Sequence, residues 1–163
     1  MIRKLTREET AKYILQDTVR GRLSADFRLK PGREVWGLFE DQYAEHDEPG
    51  EEPLAVICVA YTNRQVRHEL ELEYFTNEDG DHAVFYTVWS YAKGAGARIV
   101  REVAQRILED RPHTQRWITL SPLTAMAERF HLKNGARIAY KHNTDQIFEY
   151  THQLRPKEAA ANA

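Results

Sequence analysis

The residues best placed to do chemistry form a run of small and cationic side chains, Tyr91-Ala92-Lys93-Gly94-Ala95-Gly96-Ala97-Arg98. It follows a segment rich in Val, Phe, Tyr and Trp and precedes an amphipathic one, so it reads as the turn from a buried strand into a helix. Glycines at such a turn let backbone N–H groups converge at a helix N-terminus, where the macrodipole adds roughly half a positive charge. That combination binds phosphate, and Lys93 and Arg98 stand where they could pair with its oxygens. Two nucleotide fingerprints fail here. A dinucleotide site needs a third Gly or Ala where Ile99 stands, within repeated strand–helix–strand units that the chain lacks; a triphosphate loop needs Gly-Lys-Ser/Thr at its close. Gly-x-Gly by itself is also compatible with a turn that holds no ligand.

The elements that must position this turn can be read from periodicity. Residues 83–90 are a buried strand, and residues 98–109 place Ile99, Val100, Val103, Ala104, Ile107 and Leu108 on one helical stripe that packs on a sheet. Residues 117–120 form another short strand. Ser121 then reads as an N-cap with Pro122 at the first helical position, and Leu123, Met126, Ala127 and Phe130 face inward until Gly135 ends the helix. Residues 136–141 and 146–150 close the chain as a hairpin. At the other end, residues 2–5 suggest a strand, and Thr6 with Glu9 has the form of a capping box that starts a helix carrying Ala11, Ile14 and Leu15 on one face. Residues 33–40 and 54–61 read as an antiparallel hairpin. The segment between them, residues 40–52, carries seven carboxylates; it could attract a cationic amine or serve as a solvated turn. Residues 66–75 fit both strand and helix spacing and lean to helix. The reading is an α/β fold, with one domain over residues 1–155 built on a mixed, mostly antiparallel, twisted sheet with helices on both faces. Residues 156–163 are expected to be a disordered tail.

Composition narrows the function. A chain of 163 residues supports one core and one active site. A net charge of −2 gives no global basic excess for a nucleic-acid backbone. The longest purely apolar stretch, residues 54–60, is far below membrane-spanning length, and no signal-peptide core is visible, so a cytoplasmic protein with no membrane partner is expected. The single cysteine, Cys58, excludes an internal disulfide and reads as buried filler rather than a nucleophile. His68, His82, His113, His131, His142 and His152 do not pair at the spacing of a zinc helix, so no metal is expected. Trp36 and Tyr43, if exposed, would offer a surface for a homodimer.

The turn at residues 91–96 resembles the phosphate loop of the GNAT acyltransferases, Arg/Gln-x-x-Gly-x-Gly/Ala, with Tyr91 in place of the usual Arg or Gln. A second block, Ala127-Glu128-Arg129-Phe130-His131 followed by Gly135-Ala136, is similar to the family's Ala-x-x-Phe-Tyr-x-x-x-Gly-Phe. The resemblance covers residues 83–150; the first half matches in topology alone. It implies an acyl-CoA cosubstrate, acetyl-CoA first among them, with its pantetheine arm between the strands at residues 83–90 and 117–120. Backbone near Thr87, Val88 and Trp89 would bond the arm's amides, and Lys93, Gly94, Ala95, Gly96, Ala97 and Arg98 would hold the pyrophosphate. It further implies direct transfer to an amine, without a covalent intermediate. His131 takes the place of the family's tyrosine acid and as an imidazolium could protonate the departing CoA thiolate; the N–H near Val88 would stabilise the oxyanion. Thr124, at the place of a family Asn, and Ser121 could touch the pantetheine or cap the helix. For the base that deprotonates the amine, Glu40, Glu71, Glu73, Tyr86 and water all stay open. Two other readings compete: a noncatalytic CoA-binding module for regulation or partner binding, and acylation of a nucleobase, which the acidic balance disfavours.

Overall fold

The computed structural model describes residues 1–40 and 52–150. The acidic segment between the second and third strands, Tyr43, His152 and the expected tail lie wholly or largely outside the described residues. Among the described residues seven strands form one sheet in the order β1-β2-β3-β4-β5-β7-β6. They are β1 (Ile2–Lys4), β2 (Arg33–Leu38), β3 (Ala55–Thr62), β4 (His82–Ser90), β5 (Arg116–Pro122), β6 (Arg137–Lys141) and β7 (Asp145–Tyr150). Every neighbouring pair is antiparallel except β4–β5, which is parallel. A parallel pair needs a long crossover, and helix α4 (Ala95–Asp110) supplies it. Its apolar stripe packs on one face of the sheet with Trp36, Ile57, Phe85 and Phe148. The other face is covered by α1 (Arg7–Tyr13), α2 (Ala25–Arg28) and α3 (Glu71–Phe75), through Tyr13, Phe27 and Leu72. The mixed sheet between two helical layers expected from the sequence is therefore the fold.

The Thr6–Glu9 capping box forms as its spacing requires, each side chain meeting the other's backbone N–H. Its helix turns a different face inward from the expected one: Thr10 and Tyr13 are buried, whereas Leu15 lies past the helix end and is 85% exposed. The helix expected over residues 66–75 contracts to α3. The hairpin of β2 and β3 forms in the expected pairing, and Trp36 is 3% exposed within it, its indole N–H donating to Glu34, so it offers no dimer surface.

The largest departure concerns residues 121–124. Ser121 and Pro122 continue β5 opposite Gln146 and Asp145, and Thr124 is the N-cap of α5 (Ala125–Lys133), its hydroxyl accepting from the N–H of Ala127 at 3.1 Å. The Ser-Pro pair imitates a helix start. Proline is tolerated in the strand because β4 has already diverged: the β4–β5 ladder ends at Phe85 opposite Thr119. Met126, expected inside, is 73% exposed, and Leu123 is also exposed.

Candidate active site

The divergence of β4 from β5 opens the site. A bulge in the β3–β4 ladder pairs Cys58 with Thr87 and Val59 with Phe85, leaving Tyr86 without a facing residue on β3. Alternate residues of a strand aim both backbone groups at the same edge. The Tyr91 N–H donates to Leu54 on the β3 side, while the Tyr86 carbonyl accepts from Arg20 on the β5 side. Alternation therefore turns the N–H and C=O of Val88 into the gap between β4 and β5, where an amide-bearing arm or a thioester oxygen would find them. Thr87 and Trp89 border the same cleft.

That cleft encloses about 590 Å³, between Phe85–Ser90 of β4, Leu120–Pro122 of β5, Gly96 and Val100 of α4, and Thr124, Met126, Phe130 and His131 at α5. Among the described residues its lining contains no carboxylate, lysine or arginine. At one end stands the N-terminus of α4. Gly94 adopts φ +80° as its N-cap, a left-handed conformation that strains any side-chain-bearing residue. The Ala95 N–H bonds to Ala92 and the Arg98 N–H to Gly94, whereas those of Gly96 and Ala97 lack a backbone partner of this kind among the described residues, as a helix's first turn requires. Gly96 forms part of the wall, and a Cβ there would lie 3.4 Å from the Phe130 ring and 3.7 Å from the Ser90 hydroxyl. These features fit a phosphate cradle. Arg98 runs along its own helix to Glu102 at 2.7 Å, and Tyr91, in the place of a family Arg or Gln, accepts from the Trp89 indole at 2.8 Å.

The other chemically capable group is a chain of neutral hydrogen-bonding side chains. Thr119 Oγ1 is 3.1 Å from Ser121 Oγ, Ser121 Oγ is 3.0 Å from His131 Nε2, and His131 Nδ1 is 2.8 Å from the Tyr150 hydroxyl. His131 is 5% exposed, between the Phe130 edge and the Phe148 face. Burial with no carboxylate beside it pushes its pKa from 6.5 down to about 4, so the imidazole is neutral at pH 7. This corrects the imidazolium donor expected from the sequence. Burial also raises the Tyr150 phenol, which keeps its proton. If that phenol donates to Nδ1, Nε2 carries the hydrogen and donates to Ser121, whose own O–H is then available to the cleft. The reverse tautomer makes Nε2 an acceptor for the Ser121 hydrogen. Ser121, for which the sequence leaves a cap or a pantetheine contact open, is thus the hydroxyl at the cleft wall, placed there by the continuation of β5.

The expected bases are dispersed. Glu40, Glu71 and Glu73 do not line the cleft; Glu71 accepts from the Arg67 N–H, and Glu73 pairs with Arg33 at 3.7 Å. Tyr86 does line it, but burial and neighbouring Cys58 hold its phenol well above its ordinary value. Cys58 is fully buried and pushed up to about 11, the inert filler its sequence context suggested. Among the described residues no three His, Cys, Asp or Glu side chains are grouped to hold a metal, and no helix is long and apolar enough to cross a membrane.

A strand order with a single parallel pair, a splay at that pair and a helix N-terminus beneath it define the fold of the GNAT acyltransferases. Solved structures agree. The chain superposes on the loading GNATL domain of CurA from Lyngbya majuscula with a TM-score of 0.68, at 12% identity over 95% of this chain and 98% of that one. For an aminoglycoside acetyltransferase, AAC(6')-Ib, solved with coenzyme A and kanamycin, the TM-score is 0.64 at 14% identity, covering 94% and 95%. Malonyl-CoA decarboxylase from Rhodopseudomonas palustris gives 0.69 at 18% identity, over 93% of this chain and 60% of that one, so the chain spans about three fifths of that enzyme. No family model and no curated protein sequence matches.

Proposed function

We propose that this chain is an acyl-CoA-dependent acyltransferase that holds its thioester between β4 and β5 and passes the acyl group to an amine. The observation that carries this reading is the presence, along one uncharged cleft, of the α4 first-turn donors, the inward backbone of Val88 and the Ser121–His131–Tyr150 chain. CoA chemistry in solved proteins of this fold supports the cosubstrate. The amine nitrogen attacks the thioester carbonyl, the oxyanion takes the Val88 N–H, and collapse breaks the C–S bond. The leaving sulfur takes its proton from the Ser121 hydroxyl, which takes one from His131 Nε2 while Nδ1 takes the Tyr150 phenol proton; the proton released by the amine returns to Tyr150 through solvent and closes the relay. With no carboxylate among the described lining residues, the amine's own proton goes to water.

A second reading is favoured by the malonyl-CoA decarboxylase structures and by a lining that holds no carboxylate among the described residues. In a malonyl-type thioester, carbon dioxide leaves with cleavage of the C–C bond, and its electron pair forms an enolate. The enolate carbon then takes a proton from Ser121. This needs no amine and no base, and an apolar cleft favours dispersal of the carboxylate charge.

One assay separates them. Purified protein is given acetyl-CoA with a panel of amines, and malonyl-CoA alone; free thiol is followed in the first case, and carbon dioxide with acetyl-CoA in the second. Thiol release dependent on an amine establishes transfer, and amine-independent loss of carbon dioxide establishes decarboxylation. In either case Ser121→Ala retains thioester binding and lowers turnover by about 10²–10⁴-fold. Binding of both thioesters with neither product would leave a noncatalytic CoA-binding module.

A further inference from the structure

We propose that Arg20 is a positioning residue that sets the width of the slot between β4 and β5. The proposal rests on the acyl-CoA reading of the cleft. The last paired residues of the parallel ladder are Phe85 and Thr119; the next residue on each strand is Tyr86 and Leu120. Arg20 bridges those two, Nε donating to the Tyr86 carbonyl at 2.6 Å and Nη2 to the Leu120 carbonyl at 2.9 Å. The guanidinium thus stands in for the ladder at the point where the strands part. Two residues beyond Tyr86 is Val88, and directly beyond Leu120 is Ser121, so the staple fixes the separation of the backbone and hydroxyl groups that face a thioester.

The staple is itself fixed. Its charge is balanced by Asp145 and Glu69, each at 3.1 Å, with Arg20 and Asp145 both buried. Asp17 accepts the N–H groups of Val19 and Arg20 at 2.9 Å each and pairs with the buried Arg28 at 2.8 Å. The loop so held carries Thr18 and Val19 into the cleft wall. A planar fork satisfies two carbonyls and two carboxylates together; an ammonium group at the end of a lysine cannot.

The test compares two ligands in Arg20→Lys: acetyl-CoA, which needs the slot, and 3′-phospho-ADP, the nucleotide half of CoA, which needs only the α4 cradle. Calorimetry and ligand-observed NMR give the affinities; circular dichroism confirms the fold. Acetyl-CoA binding is expected to weaken by about tenfold or more while 3′-phospho-ADP stays within about twofold of wild type. Parallel losses for both ligands would show mere destabilisation, and an unchanged acetyl-CoA affinity would show that the slot does not depend on Arg20; either overturns the proposal. If Arg20→Lys does not fold, the variant Arg20→Met/Glu69→Gln/Asp145→Asn, which removes all three charges of the cluster, is put through the same comparison with the same criteria. A folded wild type that binds neither ligand overturns the acyl-CoA reading itself and this proposal with it.

Discussion

His131 gives a quantitative prediction because the folded chain refuses a proton that the unfolded chain accepts. Its pKa falls from 6.5 to about 4 on burial. Above pH 6.5 neither state binds the proton and the residue contributes no pH dependence. As pH falls through 6.5 the unfolded chain is protonated and stabilised, and native stability declines until the folded pKa is reached. The gap is worth about 3 kcal/mol when fully expressed below pH 4, and roughly 2 kcal/mol of it is lost by pH 5. His131→Gln has no such proton but retains a neutral hydrogen-bonding group between Ser121 and Tyr150. Urea unfolding of both proteins at pH 7, 6 and 5, with equal m-values, should show the wild type's advantage shrinking by roughly 2 kcal/mol from pH 7 to pH 5. Stability curves that stay parallel would refute the buried, neutral imidazole. On the acyltransferase reading the same reasoning predicts the activity profile: a relay through neutral His131 stays active as pH rises from 6 to 8, whereas an imidazolium donor would fade through 6.5.

Other perturbations follow from the geometry. Arg28→Met leaves Asp17 as an uncompensated buried charge and should cost about 3–5 kcal/mol, read by urea unfolding, with partial recovery on adding Asp17→Asn. Gly94→Ala forces a side chain into φ +80° and should cost roughly 1 kcal/mol, seen as a fall of about 3 °C in Tm. Thr124→Ala removes the α5 cap and should destabilise by about 1 kcal/mol in the same measurement. Cys58 should resist thiol reagents at pH 8 in the folded protein and react fully in denaturant.

The sequence exposes the parts of this site that are local. Gly94 and Gly96 mark the helix start because no other residue type serves a left-handed cap and an open wall equally well, and the α4 stripe shows which way that helix faces. The capping box at Thr6 is legible for the same reason: its partners are three residues apart. Ser121 is misread as a helix start because Ser-Pro means one only if the strand has ended, and the strand continues here through pairing with β7, whose partner residues come 25 and 23 positions later. The neutrality of His131 is hidden too, since Phe148 and Tyr150 enclose it from another strand. Arg20 shows no signal at all; in sequence it is one cation in a stretch marked only by Gly21.

The reach of that arginine bears on how the chain acquires its structure. Its hydrogen bonds close separations of 66, 100 and 125 residues, to Tyr86, Leu120 and Asp145. Contacts of such length form slowly, because the ends of each loop must be brought together before any bond rewards it. The guanidinium can lose its hydration only once β4, β5 and β7 are assembled around it, so its docking belongs late in folding. Until then the cleft has no fixed width, and on the acyl-CoA reading competence to bind a thioester should emerge together with the last step of folding rather than with the growth of the sheet.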